Sequence, residues 1–255
     1  MKFTSMQTAQ LCLLLSFAGG IMKQLLPNIF TLANLAAGLL ALQSLVSGQY
    51  RSSAVLIAVA LLCDFLDGLV ARALKVHSEL GKQLDSLADV VSFGVVPGFM
   101  LFAMFQEIPR TGEPLPVFLP YLAFLIPLFT ALRLAKFNLD SRQAEFFIGL
   151  PSPANAILIY ALGVWAFSTD NETTQNILFH PFLLTLLVLL SSLLLVAEIP
   201  LLSFKLQDLS WRNNKGRILL ILGSFVLFIL LRFRALAFVV PLYLLVSLLF
   251  KPRKP

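Results

Sequence analysis

Charge is scarce in this chain. Only 13% of its 255 residues are Asp, Glu, Lys or Arg, while 58% are hydrophobic and 23 are Phe. Soluble domains carry about 25% charged residues, so the polar surface needed to cover a water-facing globule is missing. That excludes a soluble enzyme, a disordered chain and a nucleic-acid-binding domain, despite a formal net charge of +6. Cysteine and histidine are sparse as well. Cys12 and Cys63 lie in apolar surroundings without CxxC spacing, which argues against a disulfide framework or a zinc site. His77 and His180 are too isolated to form a metal cluster. No repeat of 20–50 residues and no low-complexity tract is present.

Long apolar runs are what the chain has in abundance. Bounded by turn and charge signals, they fall at Phe30–Gly48, Ser53–Arg72, Leu84–Phe105, Val117–Phe137, Leu150–Phe167, Phe179–Leu201, Arg217–Leu231 and Leu236–Phe250. Eight spans of about 20 residues would use roughly 160 positions, leaving short loops and no second globular domain. The expected fold is all-α, a polytopic transmembrane helical bundle. Its last two runs are short and separated only by the Arg232–Arg234 corner, which reads as a helical hairpin.

The basic residues are distributed unevenly over the loops. Taking alternate loops with both termini, one side holds 15 of the 19 Lys and Arg, and the other holds only Arg51, Arg110, Arg232 and Arg234. Basic loops stay cytoplasmic, so an even number of spans with both termini in the cytoplasm is expected. Residues 1–27 read as an N-terminal lead and interfacial segment, and 28–255 as one integral membrane domain with its catalytic core at about 28–165. Gln10–Ile21 suits either a signal-peptide core or an interfacial helix, and a functional chain starting at Met22 is equally consistent with the pattern.

Against this apolar background, four carboxylates stand out. Asp64 and Asp67 lie in the second run, Asp85 and Asp89 at the start of the third. An acidic residue inside a span costs about 2.5–3.5 kcal/mol and marks a functional site by default. Arg72 and Lys82 could neutralise two of the four at most. Asp64, Asp67, Gly68, Ala71 and Arg72 follow a helical stripe at i, i+3, i+4, i+7 and i+8, and Gly81, Asp85 and Asp89 follow another at i, i+4 and i+8. The short connection makes the two helices antiparallel neighbours, so the stripes can face one another. Converging carboxylates form a hard-oxygen cage for two divalent ions, Mg²⁺ or Mn²⁺. Gly68, Ala71 and Gly81 leave room for a bulky anionic substrate, and Arg72 can grip phosphate oxygens.

Written out, these residues fill the pattern DxxDGxxAR(x8)GxxxDxxxD. The pattern resembles the signature of the CDP-alcohol phosphatidyltransferase family, and further stretches resemble its phosphatidylserine synthase branch. Those stretches run from Leu26 to Leu35, Ser92 to Pro97, Leu132 to Asn138 and Phe147 to Ala154, so the likeness covers about residues 22–165.

The resemblance implies transfer of the phosphatidyl group of CDP-diacylglycerol to the hydroxyl of L-serine, giving phosphatidylserine and CMP. It implies that Asp64, Asp67 and Asp85 ligate both metals, and that Asp89 completes the second site and serves as general base; spacing alone does not separate Asp85 from Asp89. Asn28, Thr31, Gly68, Arg72 and Ser78 would bind the CDP moiety, with Ala71, Gly81 and Lys82 beside them. For the serine carboxylate the expected cation is Arg133, with Lys136 and Asn138 close by; ordinary positive-inside anchoring is the alternative for the two cations. Pro151-Ser-Pro153 is either a plain helix start or a ligand-lining break. A homodimer in the cytoplasmic (inner) membrane, with the site facing the cytoplasm, is also implied. Two further readings compete: the same chemistry with glycerol phosphate, inositol phosphate or choline as acceptor, and a cation transporter. Transporters place ion sites at the midplane and show internal repeats, whereas these carboxylates lie near the cytoplasmic boundary.

Overall fold

The computed structural model describes residues 25–76, 78–108, 116–139, 147–202 and 211–250. The lead segment expected at 1–27 lies outside them except for its last three residues. Ten helices carry the described chain: α1 (Leu25–Val46), α2 (Tyr50–Leu74), α3 (Glu79–Val90), α4 (Val96–Gln106), α5 (Leu125–Leu139), α6 (Ser152–Ser168), α7 (Glu172–Leu178), α8 (Pro181–Val196), α9 (Trp211–Leu231) and α10 (Leu236–Leu249). One antiparallel contact, β1 (Phe147–Ile148) with β2 (Pro200–Leu201), ties the entry of α6 to the exit of α8. The all-helical expectation holds apart from this two-residue pairing.

The helices turn the soluble pattern inside out. On α1 the inward stripe is Thr31, Asn34, Ala37, Ala41 and Ser44, while Leu32, Leu39 and Leu40 point outward and are exposed. Small and polar groups inside, with large apolar groups outside, suit a helix whose solvent is lipid. At the centre stands α4, whose Val96, Met100, Leu101, Met104 and Phe105 are buried with Ala41, Ile57, Ile126, Ile159 and Val188 of surrounding helices. Close backbone approach makes this packing possible. A Cβ on Gly98 would lie 2.9 Å from Pro127 Cδ of α5 and 3.3 Å from the Ala123 carbonyl.

Two joints orient the acidic helices. Gly48, in the left-handed region at φ 74°, turns α1 into α2. Lys75, also left-handed at φ 54°, closes α2, and the Ser78 hydroxyl caps α3 by accepting from Gly81 N at 3.2 Å. The connection from α2 to α3 is therefore as short as expected, and the two run antiparallel. Between α3 and α4 the chain makes one π-helical turn, Val91–Val95, immediately after Asp89. Such wider turns are frequent at functional sites.

Five helical stretches are long and apolar enough to cross a membrane, or six if the pair α7–α8, bent by 45°, is one span. Eight runs were expected, and three differences account for the gap. Ser152–Ser168 is shorter than the other spans. The sixth run forms helix only over Pro181–Val196, 16 residues, which is bent by 45° from the short α7 before it. The stretch Asn214–Leu249, 36 residues long, bends back at the 3₁₀ turn Arg232–Ala235. There Gly216 faces Phe250 and Gly223 faces Leu242, the pairing of an antiparallel helical hairpin.

Candidate active site

The first five helices bring the predicted carboxylates together from two sides. Asp64, Asp67 and Asp85 each offer an oxygen such that the three atoms lie within 4.8 Å of one another. Asp67 is buried, and Asp85 Oδ1 is buried with no hydrogen-bond partner among the described residues. Three carboxylates so close, with one oxygen unsatisfied, are costly without a cation. An all-oxygen donor set fits Mg²⁺ or Mn²⁺. Asp89 stands one turn beyond Asp85, outside this trio, and is buried.

Neutral donors on α1 hold two of the four. The Thr31 hydroxyl donates to Asp67 Oδ2 at 2.8 Å, and Asn34 Nδ2 donates to Asp89 Oδ1 at 3.2 Å. The main-chain carbonyl of Asn34 in turn accepts from Ser92 Oγ of the π-helical turn at 3.2 Å. Three residues apart on one helix, Thr31 and Asn34 thus clamp one carboxylate from α2 and one from α3. Asn34 lay in a resembling stretch but carried no assigned role; a neutral amide amid apolar residues gives no charge pattern to read.

Beside the trio lies a cavity of about 300 Å³. It is lined by Asp67 and Asp85 and by seven of the eight residues expected to bind CDP-diacylglycerol: Asn28, Thr31, Gly68, Ala71, Ser78, Gly81 and Lys82. The eighth, Arg72, lies over Gly68, its Nη1 3.7 Å from where a Cβ would stand. Asn28 Oδ1 would lie 3.0 Å from a Cβ on Gly81, so bare backbone at that position is part of the cavity wall.

Arg133 is buried on α5 and donates from Nη1 to Ser152 Oγ at 3.0 Å, with its guanidinium 5.9 Å from the Phe137 ring. Among the described residues its Nε has no partner, nor do the buried Thr130 Oγ1 and both side-chain polar atoms of Asn155. Thr130 and Arg133 are one turn apart on α5, as are Ser152 and Asn155 on α6. Ser152 therefore belongs to a buried polar seam, while Pro151-Ser-Pro153 itself forms the start of α6, with Pro151 as its N-cap. The structure does not bring Asn138 to Arg133. Five residues on, it is turned about 140° around the helix, and its Nδ2 donates to Ser86 Oγ at 2.8 Å while its carbonyl accepts from Lys82 Nζ at 2.9 Å. Asn138 joins α5 to α3 instead. Lys136 is exposed.

The profile of the CDP-alcohol phosphatidyltransferase family matches residues 24–247. The chain belongs to this family. Over 147 residues it is 37% identical to the CDP-diacylglycerol–serine O-phosphatidyltransferase of Mycobacterium leprae (strain TN), covering 54% of this chain and 46% of that protein. Over 132 residues it is 34% identical to the enzyme of the same name from Bacillus subtilis (strain 168), covering 50% of this chain and 69% of that one. The archaetidylserine synthase of Methanothermobacter thermautotrophicus is 32% identical over 151 residues, with 57% and 60% covered. The chain spans about half the length of the Mycobacterium leprae relative. The acidic trio lies on the family's matched segment, in a protein built of several apolar helices.

Proposed function

We propose that this protein is a CDP-diacylglycerol–serine O-phosphatidyltransferase, transferring the phosphatidyl group to L-serine with release of CMP. The observation that carries the reading is the acidic trio, two of whose members line a cavity that also holds seven of the eight residues expected to bind CDP-diacylglycerol. The names of its relatives support serine as acceptor.

Asp64, Asp67 and Asp85 would hold two divalent ions, with Asp89 completing the second site. Bound there, the ions would supply charge neutralisation for the pyrophosphate and acidify a nearby hydroxyl. The chain's own residues do the rest. Gly68 and Gly81 let the pyrophosphate come against backbone, and Arg72 and Lys82 face its oxygens. Arg133 takes the serine carboxylate, with Lys136 adding positive charge at the same end. The serine hydroxyl oxygen attacks the phosphorus that bears diacylglycerol, the bond from that phosphorus to the CMP oxygen breaks, and the hydroxyl proton passes to the Asp89 carboxylate. Asn34, by donating to Asp89, orients that carboxylate for the transfer.

The proposal includes a homodimer, eight crossings and a site open to the cytoplasm, where serine arrives and CMP leaves while the acyl chains stay in lipid. The deciding assay is CMP release from CDP-diacylglycerol by purified protein, with Mg²⁺ or Mn²⁺ and each alcohol in turn. Metal-dependent release with L-serine alone is expected. Release only with glycerol phosphate, inositol phosphate or choline overturns the acceptor, and no release with any of them, alongside metal flux in liposomes, overturns the reaction.

A further inference from the structure

A second cavity, of about 560 Å³, lies at the other end of the bundle between the first part of α2, the second half of α6 and the Arg232–Ala235 turn. Thirteen residues of continuous helix separate Arg51 at its edge from Asp64, about 20 Å along the axis. It shares no lining residue with the acidic cavity. Its size falls within the range of about 300–1,000 Å³ typical of ligand sites. The walls are chiefly apolar, with Ile57, Leu61, Val164 and Phe233 among them.

Two exposed guanidiniums border this apolar space. Arg51 makes one long contact, Nε to Ser168 Oγ at 3.5 Å, and Arg234 lies 5.5 Å over the Trp165 ring. Among the described residues neither has a carboxylate partner. Trp165, also in the lining, has a buried Nε1 without an acceptor among the described residues. The side of the protein that holds Arg51 and Arg234 has only four basic residues in the sequence, so the convergence of two on one apolar cavity is selective. A soluble anion needs no apolar walls of this extent, and a neutral lipid needs no paired arginines. Together they match an anionic amphiphile.

We propose that this cavity binds a phospholipid with an anionic headgroup, drawn from the leaflet opposite the acidic site. An acyl chain lies between α2 and α6, and the headgroup phosphate sits between Arg51 and Arg234. The site is separate from the transfer reaction and does not depend on the acceptor.

Trp165 reports on it directly. In a Trp211→Phe background it is the one tryptophan left, since the chain has two. The full chain is placed in phosphatidylcholine nanodiscs containing rising fractions of phosphatidylglycerol with brominated acyl chains, or of brominated phosphatidylcholine. Half-maximal quenching is expected at an about fivefold lower fraction of the anionic lipid. Arg51→Gln with Arg234→Gln removes that difference, and the paired Arg→Lys variant keeps most of it, which separates lost charge from lost folding. Equal quenching by both lipids in the parent overturns the proposal, as does an undiminished preference in the Gln pair. A dimer closing this face, detected by cross-linking through Arg234→Cys without any lipid preference, assigns the cavity to a second copy and overturns it too.

Discussion

At Asp89 the chemistry narrows to one carboxylate. It is buried, is held by Asn34, and stands apart from the trio that shares a site. Asp89→Asn keeps the shape and removes the proton acceptor. Turnover should fall by about 10²–10⁴-fold, while CDP-diacylglycerol binding stays close to parental because Asp89 is not in the cavity lining. CMP release and lipid binding measured side by side check this, and full activity removes Asp89 from the reaction. Arg133→Gln should raise the KM for serine by about tenfold or more, the scale of a lost charged hydrogen bond, leaving the KM for CDP-diacylglycerol unchanged. Equal effects on both substrates would argue for a structural role only. Gly81→Ala should weaken CDP-diacylglycerol binding instead, because its Cβ would press on Asn28 Oδ1 at 3.0 Å. The acidic stripes were legible because a carboxylate in an apolar run is conspicuous and their spacing is helical. Asn34 and Asn155 were not, since their importance lies in contacts, or missing contacts, with helices far along the chain.

Among the elements, α4 and α5 meet backbone against ring at Gly98. A methyl at Gly98 meets a proline ring and a backbone carbonyl, neither of which can swing aside. Gly98→Ala should cost about 1–3 kcal/mol, seen as a lower midpoint of thermal unfolding in detergent. Gly68→Ala, with nothing nearer than 3.7 Å, should leave that midpoint unchanged. Helix positions followed from hydropathy, and the α9–α10 hairpin followed from the Arg232–Arg234 corner. The π-helical turn at Val91–Val95 was hidden, because one extra residue in a helix changes no composition and is set by the contacts of Ser92 and Gly94 with α1 and α5. The helix α7 before Pro181 was missed because its sequence, Glu172–Leu178, is polar and stands outside any apolar run.

At the scale of the whole molecule the two ends differ in kind. Arg133 and Ser152 meet where α6 begins, and Arg51 and Ser168 meet where it ends. From the sequence the basic loops are expected at the first of these ends, and cysteine labelling in intact cells tests that expectation. Thr173→Cys, in the first turn of α7 beside Asp170 and Glu172, should react with an impermeant maleimide from outside, and Lys75→Cys only after permeabilisation. The reverse pattern would invert the assigned sidedness. Charge alone gives the sequence its expected sidedness, which the labelling tests; the number of crossings was not legible, because length and apolarity cannot tell a short span from a broken one.

The clamp formed by Thr31 and Asn34 also bears on biogenesis. The helix that carries these donors is synthesised before either helix that carries their acceptors. When each acidic segment leaves the translocon, a hydroxyl or an amide is already waiting beside it, so neither has to linger in hydrocarbon unaccompanied.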